Sequence, residues 1–315
     1  MKSIGGYFEL ELRKGTEYHP DAIKLNSGRN AFRYVLEAKK YKKVYLPFYS
    51  CDVLLEPIVK LNLQFEYYSV NRDFEAEFDL LKIDSDNCFL YTNYFGLKDD
   101  YIKSLASVCK NLIVDNAQAF FAMPVDNIDT FYSPRKFFGV PDGGYLYTNK
   151  LNGREFSKDV SFDRAGHLLI RSDLTAEDGY SVFLENEKRF SEGDIQLMSS
   201  LTENILKSID YERIESIRRE NFLFLHENLK NLNQINFKTN QNQVPLCYPF
   251  YSVDSGLRKR LIESRIYTAQ YWANVLEDAP SGSVEYDYAK NLIHLPIDQR
   301  VTAEDLDRII EIIKI

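Results

Sequence analysis

The stretch Asn111 to Asn149, NLIVDNAQAFFAMPVDNIDTFYSPRKFFGVPDGGYLYTN, decides how the rest of the chain is read. Its apolar run Leu112-Ile113-Val114 has the length and composition of a buried parallel strand, and Asp115 closes it. A carboxylate at the carboxyl end of such a strand is delivered to the ligand crevice of an open α/β sheet. Lys136 follows Phe131-Tyr132-Ser133, read as a turn, and precedes Gly143-Gly144 and the strand-like Tyr145-Leu146-Tyr147-Thr148. An acid therefore stands at one strand end and an amine just beyond the next. Asp at strand ends and Lys in loops also serve as simple terminators and turn residues, so the pair draws its weight from the fragments around it.

Upstream, Leu25-Asn26-Ser27-Gly28-Arg29-Asn30-Ala31 leads into a helix whose apolar positions Ala31, Val35 and Ala38 recur at helical spacing. Ser27 can cap that helix, and Gly28 lets backbone amides approach an anion at its positive end. Arg29 either adds charge there or faces solvent. The chain then alternates strand and helix: Lys43 to Leu46, a helix near Cys51 to Leu61, Leu63 to Tyr68, Cys88 to Thr92, a helix near Asp99 to Lys110, and Leu112 to Val114. Such alternation implies right-handed crossovers and a mainly parallel sheet with helices on both faces. Pro47-Phe48-Tyr49-Ser50-Cys51 lies at the carboxyl end of one of these strands.

An amine that can condense with an aldehyde and a carboxylate that keeps a pyridine nitrogen protonated are the two groups that pyridoxal 5'-phosphate (PLP) requires. The fragments Asp115-Asn116-Ala117-Gln118-Ala119, Ser133-Pro134-Arg135-Lys136 and Gly143-Gly144 before a strand resemble the fold-type I PLP enzymes. More narrowly, they resemble the DegT/DnrJ/StrS-type sugar aminotransferases. The resemblance implies an α/β, three-layer, mainly parallel PLP-transferase major domain of the aspartate aminotransferase type over residues 1–210, including an N-terminal arm. A small C-terminal α+β domain follows over 211–315. It implies Lys136 and Asp115 as catalytic residues, Ser27, Gly28 and Arg29 at the phosphate-binding turn, Ser133 as a phosphate ligand, and Gln118 beside the phenolic oxygen of the ring. Ser50 and Cys51 fall in the segment that usually supplies an aromatic ring to stack on the cofactor. Cys51 departs from that pattern, which leaves Tyr49, Tyr94 and Phe95 as other sources of a ring face or as core residues.

The activity implied is transfer of an amino group from a donor such as glutamate to a keto sugar, nucleotide-linked, in amino-sugar or surface-polysaccharide biosynthesis. The resemblance also implies a homodimer with shared sites. Other PLP chemistry, elimination or dehydration, is one alternative; the family's dehydratase branch carries histidine in place of the lysine. A non-catalytic protein on a degenerate PLP fold is the other.

Composition agrees with an ordinary globular chain. Its 315 residues, 44% of them apolar, suffice for a large core. The net charge of -8 argues against non-specific binding to nucleic acid or an anionic membrane. Cys51, Cys88, Cys109 and Cys247 are scattered without a CxxC pair, which points to a reducing, cytoplasmic setting without disulfides or a zinc site. Neither a signal core nor a membrane-length apolar run is present in the sequence.

Beyond residue 150 the text is less specific. Tyr7 to Leu12 reads as an edge strand or extended arm, and Ser191 to Lys230 as helical. Arg154, Arg164, His167 and Arg171 belong to a substrate loop or to solvated surface. Strands near Leu246 to Tyr251 and Asn291 to Pro296 flank a helix near Ser255 to Ser264. A capping box of Thr302 and Asp305 opens a last helix that buries Leu306, Ile309, Ile310 and Ile313. His294 is read as a satisfied core histidine, and the four dispersed histidines support no metal or Ser/His/Asp site.

Overall fold

The computed structural model describes residues 4–237, 240 and 242–315, with the backbone alone for residue 192. In chain order the elements are β1 (Ile23–Leu25), α1 (Gly28–Lys39), β2 (Lys43–Pro47), α2 (Leu55–Lys60), β3 (Gln64–Val70), β4 (Ala76–Glu77), β5 (Asn87–Thr92), α3 (Asp99–Val108), β6 (Leu112–Asp115), β7 (Asp129–Tyr132) and β8 (Gly144–Tyr147). There follow α4 (Gly166–Asp173), α5 (Ala176–Glu192), α6 (Ser200–Ser208), α7 (Tyr211–Leu229), β9 (Cys247–Tyr251), α8 (Leu257–Glu263), α9 (Val275–Asp278), α10 (Val284–Asn291), β10 (Leu292–Pro296) and α11 (Ala303–Lys314).

The large sheet runs β1-β8-β7-β6-β5-β2-β3-β4. Strands β7, β6, β5, β2 and β3 are parallel neighbours, and β1, β8 and β4 close the edges antiparallel. Because side chains alternate across a strand, Tyr45, Phe89, Tyr91, Leu112 and Val114 enter one apolar cluster while Val44, Leu46, Cys88, Leu90 and Ile113 enter another. The sheet is thus buried on both faces, which is why its central strands read as continuous apolar runs. After β3 the chain returns to the other side of β2 to form β5, so the order reverses between these two strands. The carboxyl ends beside that reversal are where an α/β sheet leaves a crevice.

A second, two-stranded sheet of β9 and β10 is antiparallel. Its core of Phe222, Leu225, Tyr248, Phe250, Leu295 and Ile309 joins α7, β9, β10 and α11. The Thr302–Asp305 capping box opens α11 as expected.

Of the two readings of Tyr7 to Leu12, the extended arm holds and the edge strand does not, with Tyr7 99% and Phe8 91% accessible. An alternating pattern does not hold as a strand without a neighbouring edge to pair with. The Ser191–Lys230 region is helical as expected, divided into the end of α5, α6 and α7 by turns at residues 193–199 and 209–210. Phe131 and Tyr132 lie on β7 and not on a turn, since both pair with β8. No helix among the described residues is long and apolar enough to cross a membrane.

Candidate active site

Asp115 is the last residue of β6 and is paired with Thr92 on one side and Phe131 on the other. Its side chain turns back to accept the Ala117 amide at 2.8 Å. Burial pushes its carboxyl above the ordinary range, against the pull of the nearby Lys136 ammonium and of that amide. Lys136 is the cation that acts on Asp115, and it stands on the short 3₁₀ turn Pro134–Lys136 directly after β7. Sequence neighbours of the two residues therefore meet because β6 and β7 are parallel and adjacent. Lys136 is exposed, opens onto a cavity of about 530 Å³, and places its ammonium 5.8 Å from the centre of the Tyr271 ring.

Gln118 is buried in the turn after β6. Its Oε1 accepts the Phe95 amide at 3.0 Å, and its Nε2 has no partner among the described residues. Phe95 sits in the left-handed region at φ 59°, held by the Tyr94–Gly96 turn, so the backbone fixes which end of the amide stays free. An unpartnered buried donor is costly, about 1–3 kcal/mol, unless a ligand meets it.

The N-terminus of α1 comes to the same mouth. Ser27 accepts the Asn30 amide at 3.1 Å as N-cap, which leaves the first amides of the helix unpaired within it. A Cβ on Gly28 would lie 3.5 Å from the Ser133 Cβ, so Ser133 lies against the helix start. Gly144 makes this possible: a Cβ there would come within 2.4 Å of the Ser27 carbonyl. Helix N-terminus and hydroxyl together form a cradle suited to an anion. Arg29 instead bonds Glu56 at 2.6 Å on α2.

Ser50 is buried and donates to the Pro47 carbonyl at 2.7 Å. Cys51 opens the turn after β2, half-buried, and burial raises its thiol above the usual range against the Lys136 charge. Tyr49, Tyr94 and Phe95 are each fully buried in the core, so none of them offers an open ring face.

Several residues around this mouth have partners that the sequence did not disclose. Arg135, on the wall of the Lys136 cavity, pairs with Glu187 over the Phe190 ring. Asp142 holds Ser199, the N-cap of α6, by accepting its amide and hydroxyl at 2.8 and 2.7 Å. Arg218, only 1% exposed, donates to the Leu246 carbonyl at 3.1 Å and to Gln299 at 3.2 Å. Gln299 in turn donates to the Phe137 carbonyl at 2.9 Å, which clamps the Lys136 turn from the C-terminal region. Burial lowers the Arg218 guanidinium to about 10. Of the residues between 154 and 171, Arg154 lies at the surface and Arg164 is half-buried against Asp159; His167 and Arg171 line the Lys136 cavity. His294 is not fully satisfied: Nδ1 meets the Ala269 carbonyl at 2.9 Å, while Nε2 has no partner among the described residues. Among the described residues there is no cluster that could hold a metal ion, and the cysteines are free.

No protein-family model matches this sequence, and no curated protein does. Solved structures match in fold. A DegT DnrJ EryC1 StrS aminotransferase from Brucella abortus aligns at a TM-score of 0.64 over 93% of this chain and 85% of its own, with 15% identity. The Streptococcus pneumoniae protein Spr1654, solved in a PLP form, aligns at 0.64 over 94% and 86%, with 12% identity. GDP-4-keto-6-deoxymannose-3-dehydratase with bound GDP-perosamine aligns at 0.63 over 93% and 88%, with 14% identity. Across most of its length the chain has the fold of these proteins, the α/β PLP-transferase architecture expected from the sequence.

Proposed function

We propose that this chain is a PLP-dependent aminotransferase that moves an amino group from a donor such as glutamate to a keto sugar, nucleotide-linked, in amino-sugar or surface-polysaccharide biosynthesis. One observation carries the reading: buried Asp115 ends a central strand with Lys136 as its charged neighbour at the end of the next. The unpartnered Gln118 Nε2 and the cradle of α1 and Ser133 fit the cofactor's phenolic oxygen and phosphate.

The bound cofactor supplies an aldehyde for the lysine amine and a ring that accepts electrons. Lys136 would hold the cofactor through its amine and would serve as the base that moves a proton at the substrate carbon. Asp115 keeps the ring nitrogen protonated; the cation there offsets the desolvation that now raises its carboxyl. Gln118 donates to the phenolic oxygen, and Ser133 with the amides of Gly28 and Arg29 binds phosphate. The Arg29 side chain remains with Glu56. Ser50 shapes the turn that presents Cys51. Lys136 itself favours transamination over the dehydration that one structural neighbour's name describes.

Residues 1–210 act in this reading as the cofactor domain and 211–315 as a small domain, in a cytoplasmic homodimer. The exposed Ile4, Tyr7 and Phe8 of the arm supply apolar surface for a second copy.

The test is an absorbance spectrum of the purified protein with PLP, before and after borohydride reduction, followed by peptide mapping. A visible band trapped covalently on Lys136 is expected, and Lys136→Ala should lose both band and turnover. No adduct on Lys136 in the unaltered protein would overturn the assignment.

A further inference from the structure

A flat, conjugated ring bound between Asp115 and Lys136 needs an apolar face to lie against, and the crevice offers few. Tyr49, Tyr94 and Phe95 are spent on the core: Tyr49 stacks on Tyr94 at 5.7 Å, and each of the three is 0% exposed. The turn after β2 brings a thiol, Cys51, to the mouth. Tyr271 is the aromatic side chain whose face meets the Lys136 ammonium.

Tyr271 is held there by long-range contacts. Its carbonyl accepts the Tyr49 hydroxyl at 3.1 Å, and Asn274 donates to the Ser50 carbonyl at 3.2 Å, so its segment is fastened to the very turn that carries Cys51. On the other side the Ala269 carbonyl meets His294, whose ring stands edge-on to Tyr271 at 4.6 Å. Tyr271 is half-buried, and its ring face lies toward the Lys136 ammonium, 5.8 Å from its centre. Resting on the proposed cofactor role of Lys136, we propose that Tyr271 is a cofactor-binding residue that supplies the aromatic contact for the cofactor's ring, a contact that Cys51 does not provide. Aromatic faces favour such rings by offset or edge contact and hold nearby cations as well.

The experiment is equilibrium dialysis of PLP against the full chain and its Tyr271→Phe, Tyr271→Trp and Tyr271→Leu variants, with cofactor-free melting temperatures alongside. Phe and Trp should bind within about threefold of the unaltered protein, and Leu should weaken binding about tenfold while melting as the parent does. Should the Leu variant not fold, Tyr271→Met takes its place. Equal affinity in the ring-less variant, or a Phe variant as weak as it, would overturn the inference. Failure of the unaltered protein to trap PLP on Lys136 would instead remove the reading on which it rests.

Discussion

Asp115 and Tyr271 reach the neighbourhood of Lys136 by opposite routes. Asp115 is fixed by its own strand, with ladder pairing on both sides and a bond to an amide two residues on. Tyr271 lies outside the helices and strands and is fixed by residues more than two hundred positions away. The sheet thus contributes a charge whose position follows from backbone geometry, while the C-terminal segment contributes a face whose position follows from docking. Damage to the first should alter chemistry and spare the scaffold; damage to the second should alter binding through the packing of the segment.

Asp115→Asn gives the sharpest break. The amide keeps the shape and can still accept from Ala117, but it cannot hold a protonated ring nitrogen by charge. Turnover should fall on the order of 10²–10³-fold, a magnitude typical of losing one electrostatic stabiliser. Borohydride trapping on Lys136 should persist. Because burial raises the folded carboxyl, ionised Asp115 is penalised above that value, so the variant without cofactor should melt no lower than the parent at pH 7. A variant that melts lower and keeps its turnover would place Asp115 in the scaffold alone.

Acid separates the regions next. Burial lowers His19, beside the Phe120 carbonyl, to about 4 and His294, beside Tyr271, to about 3. Both folded values lie below the unfolded one near 6.5, so between these limits the unfolded chain binds more protons and stability falls as pH falls. The loss begins below about pH 6.5 and by pH 5 amounts to about 2 kcal/mol for each histidine. Urea unfolding at pH 7 and pH 5 measures it. His294→Phe should reduce the difference by about 2 kcal/mol, and an unchanged slope would mean that His294 does not titrate on unfolding.

Legibility followed the same divide. The parallel strands, the Asp115–Lys136 pair and the start of α1 were readable because each depends on residues close in sequence: an apolar run, a cap, a pair of glycines. The roles of Tyr271, Arg218 and Gln299 were not readable, because nothing near them distinguishes a docked ring or a clamping guanidinium from ordinary core. The arm reads as a strand because alternation is local, whereas a partner edge is not. His294 reads as a satisfied core histidine, yet its unpartnered Nε2 depends on what surrounds it in three dimensions. Asp142 bonds the N-cap of α6, a serine 57 positions on, which no local pattern signals.

The smallest effect sharpens the comparison through one motif used twice. Thr302 with Asp305 opens α11, and Thr175 with Asp178 opens α5, by the same reciprocal capping box. Removing either hydroxyl by alanine removes an N-cap bond worth about 1 kcal/mol. The consequence depends on what the helix is packed against. Leu306, Ile309 and Ile310 of α11 are buried in the C-terminal core, so this helix cannot loosen without exposing them, and Thr302→Ala should lower global stability by about 1 kcal/mol in urea unfolding. The first turns of α5 carry exposed Glu177 and Tyr180 on a separate cavity that shares His167, Arg171 and Phe183 with the Lys136 cavity. Thr175→Ala should therefore leave the unfolding midpoint nearly unchanged and instead speed amide exchange over Ala176 to Gly179. Equal losses of global stability in the two variants would show that α5 unfolds with the core, and would erase the distinction between a packed helix and one that borders the site.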